Sequence, residues 1–73
     1  MKHKNLEIFG KLVREIRISK SLTQSELADI GQFDRNYIGM LERGERNPSL
    51  LTLVRLAKAL DVPLQTLFNF QPE

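Results

Sequence analysis

Residues 33–46 read FDRNYIGMLERGER, and five of them carry groups suited to one kind of chemistry. Drawn as a helix, Arg35, Asn36, Gly39, Met40 and Arg43 share an arc of about 140°, with Tyr37, Ile38 and Leu41 opposite and Glu42 beyond them. A guanidinium and a carboxamide are the groups that pair bidentately with the major-groove edges of guanine and adenine, and a thioether can lie against a thymine methyl. Plain solvation is the alternative for any charged helix face. Three features count against it. Lys and Glu at i,i+4 spacing, the usual filler of a solvated face, are missing from it. Gly39 in mid-helix costs about 1 kcal/mol relative to Ala and so needs a reason, of which close approach by another molecule's backbone is one. Finally, Arg35 and Asn36 stand in the first turn, the end that a recognition helix inserts into the groove.

Few other chemistries are open to this chain. It has no Cys and a single His, His3, which excludes disulfides, Cys-ligated zinc and thiol catalysis and leaves no His-based metal or acid–base site. No nucleophile–base pair and no metal constellation is visible, so an enzyme, a resident metal and a cofactor are all unexpected. Eleven Lys and Arg against nine Asp and Glu give a formal charge of +2, which permits a nucleic-acid partner without requiring one. No apolar run is long enough for a membrane span and no signal peptide is evident, so the expected location is the cytoplasm. A 73-residue chain makes one small domain, for which self-association is the most available extra source of stability.

The elements that must position the face are all helical. A first helix over about 5–19 places Leu6, Phe9, Leu12, Val13 and Ile16 on one arc. Arg17 falls at the edge of that arc, where a buried cation needs a partner. In LTQSEL, Thr23 and Glu26 form a capping box and Leu22 and Leu27 a hydrophobic staple, which starts a short second helix at Gln24. That helix is expected to end at Ile30, with Gly31 as its stop. Asp34 caps the third helix, Phe33 and Ile38 staple it, and Gly44 ends it near Arg43. Two short helices joined so tightly suggest a helix-turn-helix. Pro48 then breaks the chain. Ser49 caps a fourth helix over 50–60, with Leu50, Leu53, Val54, Leu56, Ala57 and Leu60 inward. Pro63 opens a short fifth helix that docks through Leu67. The expected fold is therefore all-α: one domain over residues 1–73 made of five helices, with a frayed basic end, MKHK, at 1–4.

The stretch from Ile16 to Phe68, with LTQSELA, IGMLERGERNPSL and LVRLAKALDV in that order, resembles the lambda-repressor-like, Cro/C1-type helix-turn-helix family. The resemblance covers roughly residues 9–70, and DRNYIGMLERGERNPSL is most similar to the small controller proteins of restriction–modification systems. It implies five helices with helix 3 in the major groove, and a homodimer on a near-palindromic double-stranded DNA operator. Position by position, it implies base contacts from Arg35, Asn36 and Met40, with Tyr37 in the same region. It also implies a phosphate contact from Gln24 and a structural ion pair between Arg17 and Glu42. The family usually has Gly where Gln32 stands; here Gly31 comes one residue earlier, which bears on the tilt between helices 2 and 3.

Arg43 and Arg46 flank the end of helix 3 and suit phosphate contacts, with Arg43 alternatively a favourable charge at a helix C-terminus. Leu51, Leu64, Phe68 and Phe70 form an apolar cluster for a dimer interface, unless Phe68 and Phe70 simply close the core. The expected function is a transcription regulator, a repressor or activator controlled by its own concentration, autoregulatory, with RNA polymerase as a further partner. The alternatives are an antitoxin-type protein-interaction module, a phage-type repressor, or a structured-RNA binder, the last disfavoured by the lack of an aromatic stacking platform.

Overall fold

The computed structural model describes residues 3–73, and all its regular elements are helical. They are α1 (Lys4–Ser19), α2 (Gln24–Gly31), α3 (Arg35–Glu42), α4 (Leu50–Leu60) and a short 3-10 helix (Leu64–Phe68). Each α-helix starts where a side chain can take up a free backbone N–H. Glu26 N–H donates to Thr23 Oγ1 at 3.0 Å while Thr23 N–H donates to Glu26 Oε1 at 2.8 Å, completing the capping box. Asp34 accepts from Asn36 N–H at 2.7 Å, and Ser49 from Thr52 N–H at 3.2 Å. His3 Nδ1 caps α1 by accepting from Asn5 N–H at 3.1 Å. Of the basic end expected to fray, His3 is thus the cap and Lys4 the first helical residue; Met1 and Lys2 lie outside the described residues.

The core is one cluster fed by every element. Phe9 and Val13 of α1, Leu27 and Ala28 of α2, Ile38 and Leu41 of α3, and Leu56, Ala57, Ala59 and Leu60 of α4 are buried together with Leu67. α3 packs against both α1 and α2, so its inner side is held from two directions while its outer face stays open. α1 passes unusually close to α3. A Cβ at Gly10 would stand 2.5 Å from the backbone oxygens of both Leu41 and Glu42, so only hydrogen fits where α1 crosses the end of α3.

The structure corrects the sequence reading at three places. The fifth helix is not an α-helix but five residues of 3-10 helix, with Thr66 N–H donating to Pro63 O at 3.0 Å. The tighter winding suits a segment that must sink Leu67 completely and then bring Phe70 back edge-on to Phe9, with ring centroids 6.1 Å apart. Second, Gly31 is the last residue of α2, and Gln32 takes the left-handed conformation at φ 58°. Phe33 N–H then bonds Ala28 O at 2.8 Å to close the helix end. Gly31 is small for a different reason: a Cβ there would lie 2.5 Å from the Phe33 ring and 3.1 Å from Ala59 Cβ. Third, Leu50 does not face inward. The first turn of α4 stands clear of the core, leaving Leu50 65% and Leu51 75% exposed.

The same closure of a helix end, with a left-handed residue and a backbone bond spanning five residues, recurs after the other α-helices. Ser21, Gly44 and Asp61 hold the left-handed position, and Leu22, Glu45 and Val62 donate back to Arg17, Met40 and Ala57. Only one of these four positions is a glycine.

Candidate nucleic-acid interface

The outer face of α3 surrounds an open hollow of about 410 Å³ lined by Gln24, Arg35, Asn36, Gly39, Met40 and Arg43. Arg35 and Asn36 are exposed on the first turn, Met40 is half-buried one turn on, and Gly39 forms the floor between them. Inside the domain Gly39 is not required by packing. A Cβ there would meet only side-chain ends, Arg43 Nη1 at 3.2 Å and Gln24 Oε1 at 3.5 Å. Gly39 is buried under these two side chains, whose flexible ends can move aside.

Below the hollow, one carboxylate joins three segments. Glu42 at the end of α3 accepts from Arg17 of α1 through both oxygens, Nε to Oε2 at 2.7 Å and Nη2 to Oε1 at 3.1 Å. Arg17 Nη1 also donates to Leu22 O at 2.7 Å, in the loop before α2. Gln24, the first residue of α2, donates Nε2 to Glu42 Oε1 at 3.0 Å. Arg17 and Glu42 are only 8% and 7% exposed, so this forked pair lies in a poorly hydrated place where each ion depends on the other. The start of α2 and the end of α3 are thereby locked together. One proton of the Gln24 carboxamide is used by Glu42; the other remains for an external acceptor.

The two remaining cations flank the far end of the face. Arg43 forms an exposed pair with Glu45, Nε to Oε2 at 3.0 Å, of the weak surface kind that a phosphate can displace. Arg46 is exposed in the loop that follows. Tyr37 is half-buried and points away from the hollow, its ring stacked on Phe33 at 5.8 Å and 14°.

The turn between α2 and α3 is also tied to α4. Arg55 on α4 donates Nη2 to Gly31 O at 3.0 Å and to Gln32 O at 2.9 Å, and its guanidinium carbon lies 4.3 Å from the centre of the Phe33 ring. On a helical wheel Arg55 falls off the core arc and reads as a solvated charge. No local pattern marks it, because its partners lie more than twenty residues away.

The four residues expected at a dimer interface divide in two. Leu51 is 75% and Phe68 48% exposed, whereas Leu64 and Phe70 are half-buried against the core. Phe68 and Phe70 border an apolar groove of about 180 Å³ with Leu6, Phe9, Pro48 and Leu53. No helix among the described residues is long and apolar enough to cross a membrane.

Comparison with known proteins adds to this geometry. The helix-turn-helix family HTH_3 matches residues 13–67. The chain is 45% identical over 65 residues to the control protein C.SmaI of Serratia marcescens, covering 89% of this chain and 77% of that protein. Its fold is similar to the restriction–modification controller protein C.AhdI of Aeromonas hydrophila, with a TM-score of 0.88 and 44% identity over 90% of this chain and 100% of that one. It is also similar to the controller protein C.Esp1396I, seen as a tetramer in complex with its natural 35 base-pair operator. That match has a TM-score of 0.84 and 31% identity over 92% of this chain and 88% of that one.

Proposed function

The chain belongs to the helix-turn-helix family of DNA-binding transcription regulators, not of enzymes, and from that premise we propose that it is a dimeric, autoregulatory controller of a restriction–modification system. The observation that carries the reading is the open face of α3, where Arg35, Asn36 and Met40 ring a floor with no side chain. In a major groove, Arg35 reads guanine through its paired donors, Asn36 reads adenine, and Met40 packs on a thymine methyl. Gln24, Arg43 and Arg46 hold phosphates on either side and set the register, with Tyr37 at the edge of the contact. Two such helices, related by a two-fold axis through Leu51, Leu64, Phe68 and Phe70, enter successive grooves about 34 Å apart on a near-palindromic operator. The tetramer of the related C.Esp1396I on its operator supports a further step, in which two dimers bind side by side. Occupancy in the cytoplasm then blocks or recruits RNA polymerase according to the protein's own concentration.

The test is a titration against the duplex immediately upstream of this protein's gene, beside a scrambled duplex, at roughly 0.15 M salt, where weak surface attraction is screened. Binding about a thousandfold tighter to the upstream duplex supports the reading; equal, weak binding to both overturns autoregulation at that operator. In the same assay Arg35→Ala is expected to cost about 1–3 kcal/mol on the upstream duplex and much less on the scrambled one. An equal loss on both would mean that Arg35 touches phosphate, not a base. Gly39→Ala is expected to separate binding from folding. It should raise stability by up to about 1 kcal/mol through helix propensity. DNA affinity should fall by about tenfold, or about 1.4 kcal/mol, as the methyl fills the floor of the hollow. Unchanged affinity in the Ala variant would show that nothing approaches α3 there.

A further inference from the structure

We propose that Arg55, on α4 and outside the reading face, is a positioning residue that fixes the orientation of Tyr37 and with it the entry of α3 into the groove. This rests on the DNA-reading role proposed above for α3.

Three flat groups from three segments meet around one ring. The Arg55 guanidinium lies over Phe33 at 4.3 Å, and Tyr37 is nearly parallel to Phe33, at 5.8 Å and 14°. Phe33 is the hinge of this arrangement. It belongs to the turn between α2 and α3, and its ring fits against Gly31 so closely that even a methyl there would collide with it. Arg55 also ties the turn itself, because Nη2 donates to the carbonyls of both Gly31 and Gln32. These are free carbonyls at the C-terminus of α2, where a cation is favoured by the helix dipole as well as by the hydrogen bonds. Gln32 adopts a left-handed conformation without being a glycine, so the turn is held in a shape its sequence does not prefer.

The position of Tyr37 makes the arrangement functional. It sits in the first turn of α3 next to Asn36, so a shift of the turn that carries Phe33 would tilt that first turn and move Tyr37 and the proposed base-reading residues together. Lysine cannot replace Arg55 in this role. A guanidinium is planar, stacks on an aromatic face and offers donors in a fixed fork, whereas an ammonium is a strongly hydrated point charge.

The chain provides its own probe. Tyr37 is the only tyrosine and there is no tryptophan, so tyrosine fluorescence and the near-ultraviolet tyrosine band report this one ring. Arg55→Lys, Arg55→Ala and Phe33→Leu are compared with the wild type at a temperature where unfolding curves show each to be folded. Acrylamide quenching of Tyr37 is expected to rise about twofold in all three. The ratio of affinities for the upstream and scrambled duplexes should fall about tenfold in Arg55→Ala and about fivefold in Arg55→Lys, whose net charge is unchanged. Should Arg55→Ala fail to fold, Arg55→Lys and Phe33→Leu decide. A folded Arg55→Lys with wild-type quenching and a wild-type ratio overturns the proposal, since charge alone would then suffice. So does an Arg55→Ala that loses affinity equally for both duplexes with Tyr37 unchanged, which would make Arg55 a general phosphate contact. A wild-type protein with no preference between the duplexes overturns autoregulation at that site instead, and the Tyr37 signal still decides whether Arg55 orients the ring.

Discussion

Glu42→Ala is expected to lower folding stability by about 3–5 kcal/mol. The substitution leaves the Arg17 guanidinium, 8% exposed, with Leu22 O as its remaining acceptor, and it strips Gln24 of its carboxylate partner. A 73-residue chain has a total stability of roughly 4–11 kcal/mol at the usual 0.05–0.15 kcal/mol per residue, so the loss removes a large part of it. The midpoint of thermal unfolding should fall by roughly 15–30 °C. A double variant, Arg17→Met with Glu42→Leu, should recover most of that, because removing both ions leaves no orphaned charge. Urea unfolding of the three proteins measures this directly. A loss under about 1 kcal/mol in Glu42→Ala would show that water reaches the pair and that it behaves as a surface bridge.

The second large effect is expected where α1 crosses α3. Gly10→Ala gains helix propensity, about 1 kcal/mol, yet its methyl would need to share space with two backbone oxygens 2.5 Å away. Neither oxygen belongs to a flexible side chain, so relief requires α1 to move off α3. Overpacking of this kind costs typically about 1–3 kcal/mol, and with two backbone oxygens in the way the upper end applies, so a net loss of about 2 kcal/mol is expected. Gly39→Ala is the natural control, being the same change in mid-helix with the opposite sign of stability. If denaturant midpoints for the two variants move in the same direction, the distinction between a glycine pressed on backbone and one covered only by side-chain ends fails.

That contrast also marks what could be read in the sequence. Gly39 stands out in the sequence because a glycine in mid-helix has a cost; Gly10 carries the same signal, but no face of Arg, Asn and Met surrounds it. The starts of α2, α3 and α4 were legible because capping is local: Thr23, Asp34 and Ser49 bond backbone groups within three residues of themselves. The shared face of Arg35, Asn36, Gly39, Met40 and Arg43, here proposed to read DNA, was legible because helical period alone brings them together. The need for a partner at Arg17 followed from its place on an apolar arc, but Glu42 is 25 residues away and was named by family resemblance, not by spacing. Gly31 shows how a residue type can be right and its reason wrong. It looked like a left-handed stop, whereas its smallness admits the Phe33 ring and Gln32 makes the turn. Arg55 was beyond reach because it touches the turn only through tertiary structure.

The helix ends hold a consequence of a different kind, one of time. Ser21 and Gln32 occupy left-handed positions that glycine fills without steric cost, each at roughly 1–2 kcal/mol, and Asp61 occupies a third at a smaller cost. The three lie on separate loops, so their effects add. The domain thus stands some kcal/mol below the stability its own backbone permits, and its unfolded fraction is larger by the corresponding factor. In a cell, that fraction is what proteases sample, and a change of 1–2 kcal/mol alters abundance several-fold. For a regulator of the kind proposed here, whose level would be its signal, the left-handed residues at Ser21, Gln32 and Asp61 would help to set how quickly the circuit forgets its previous state.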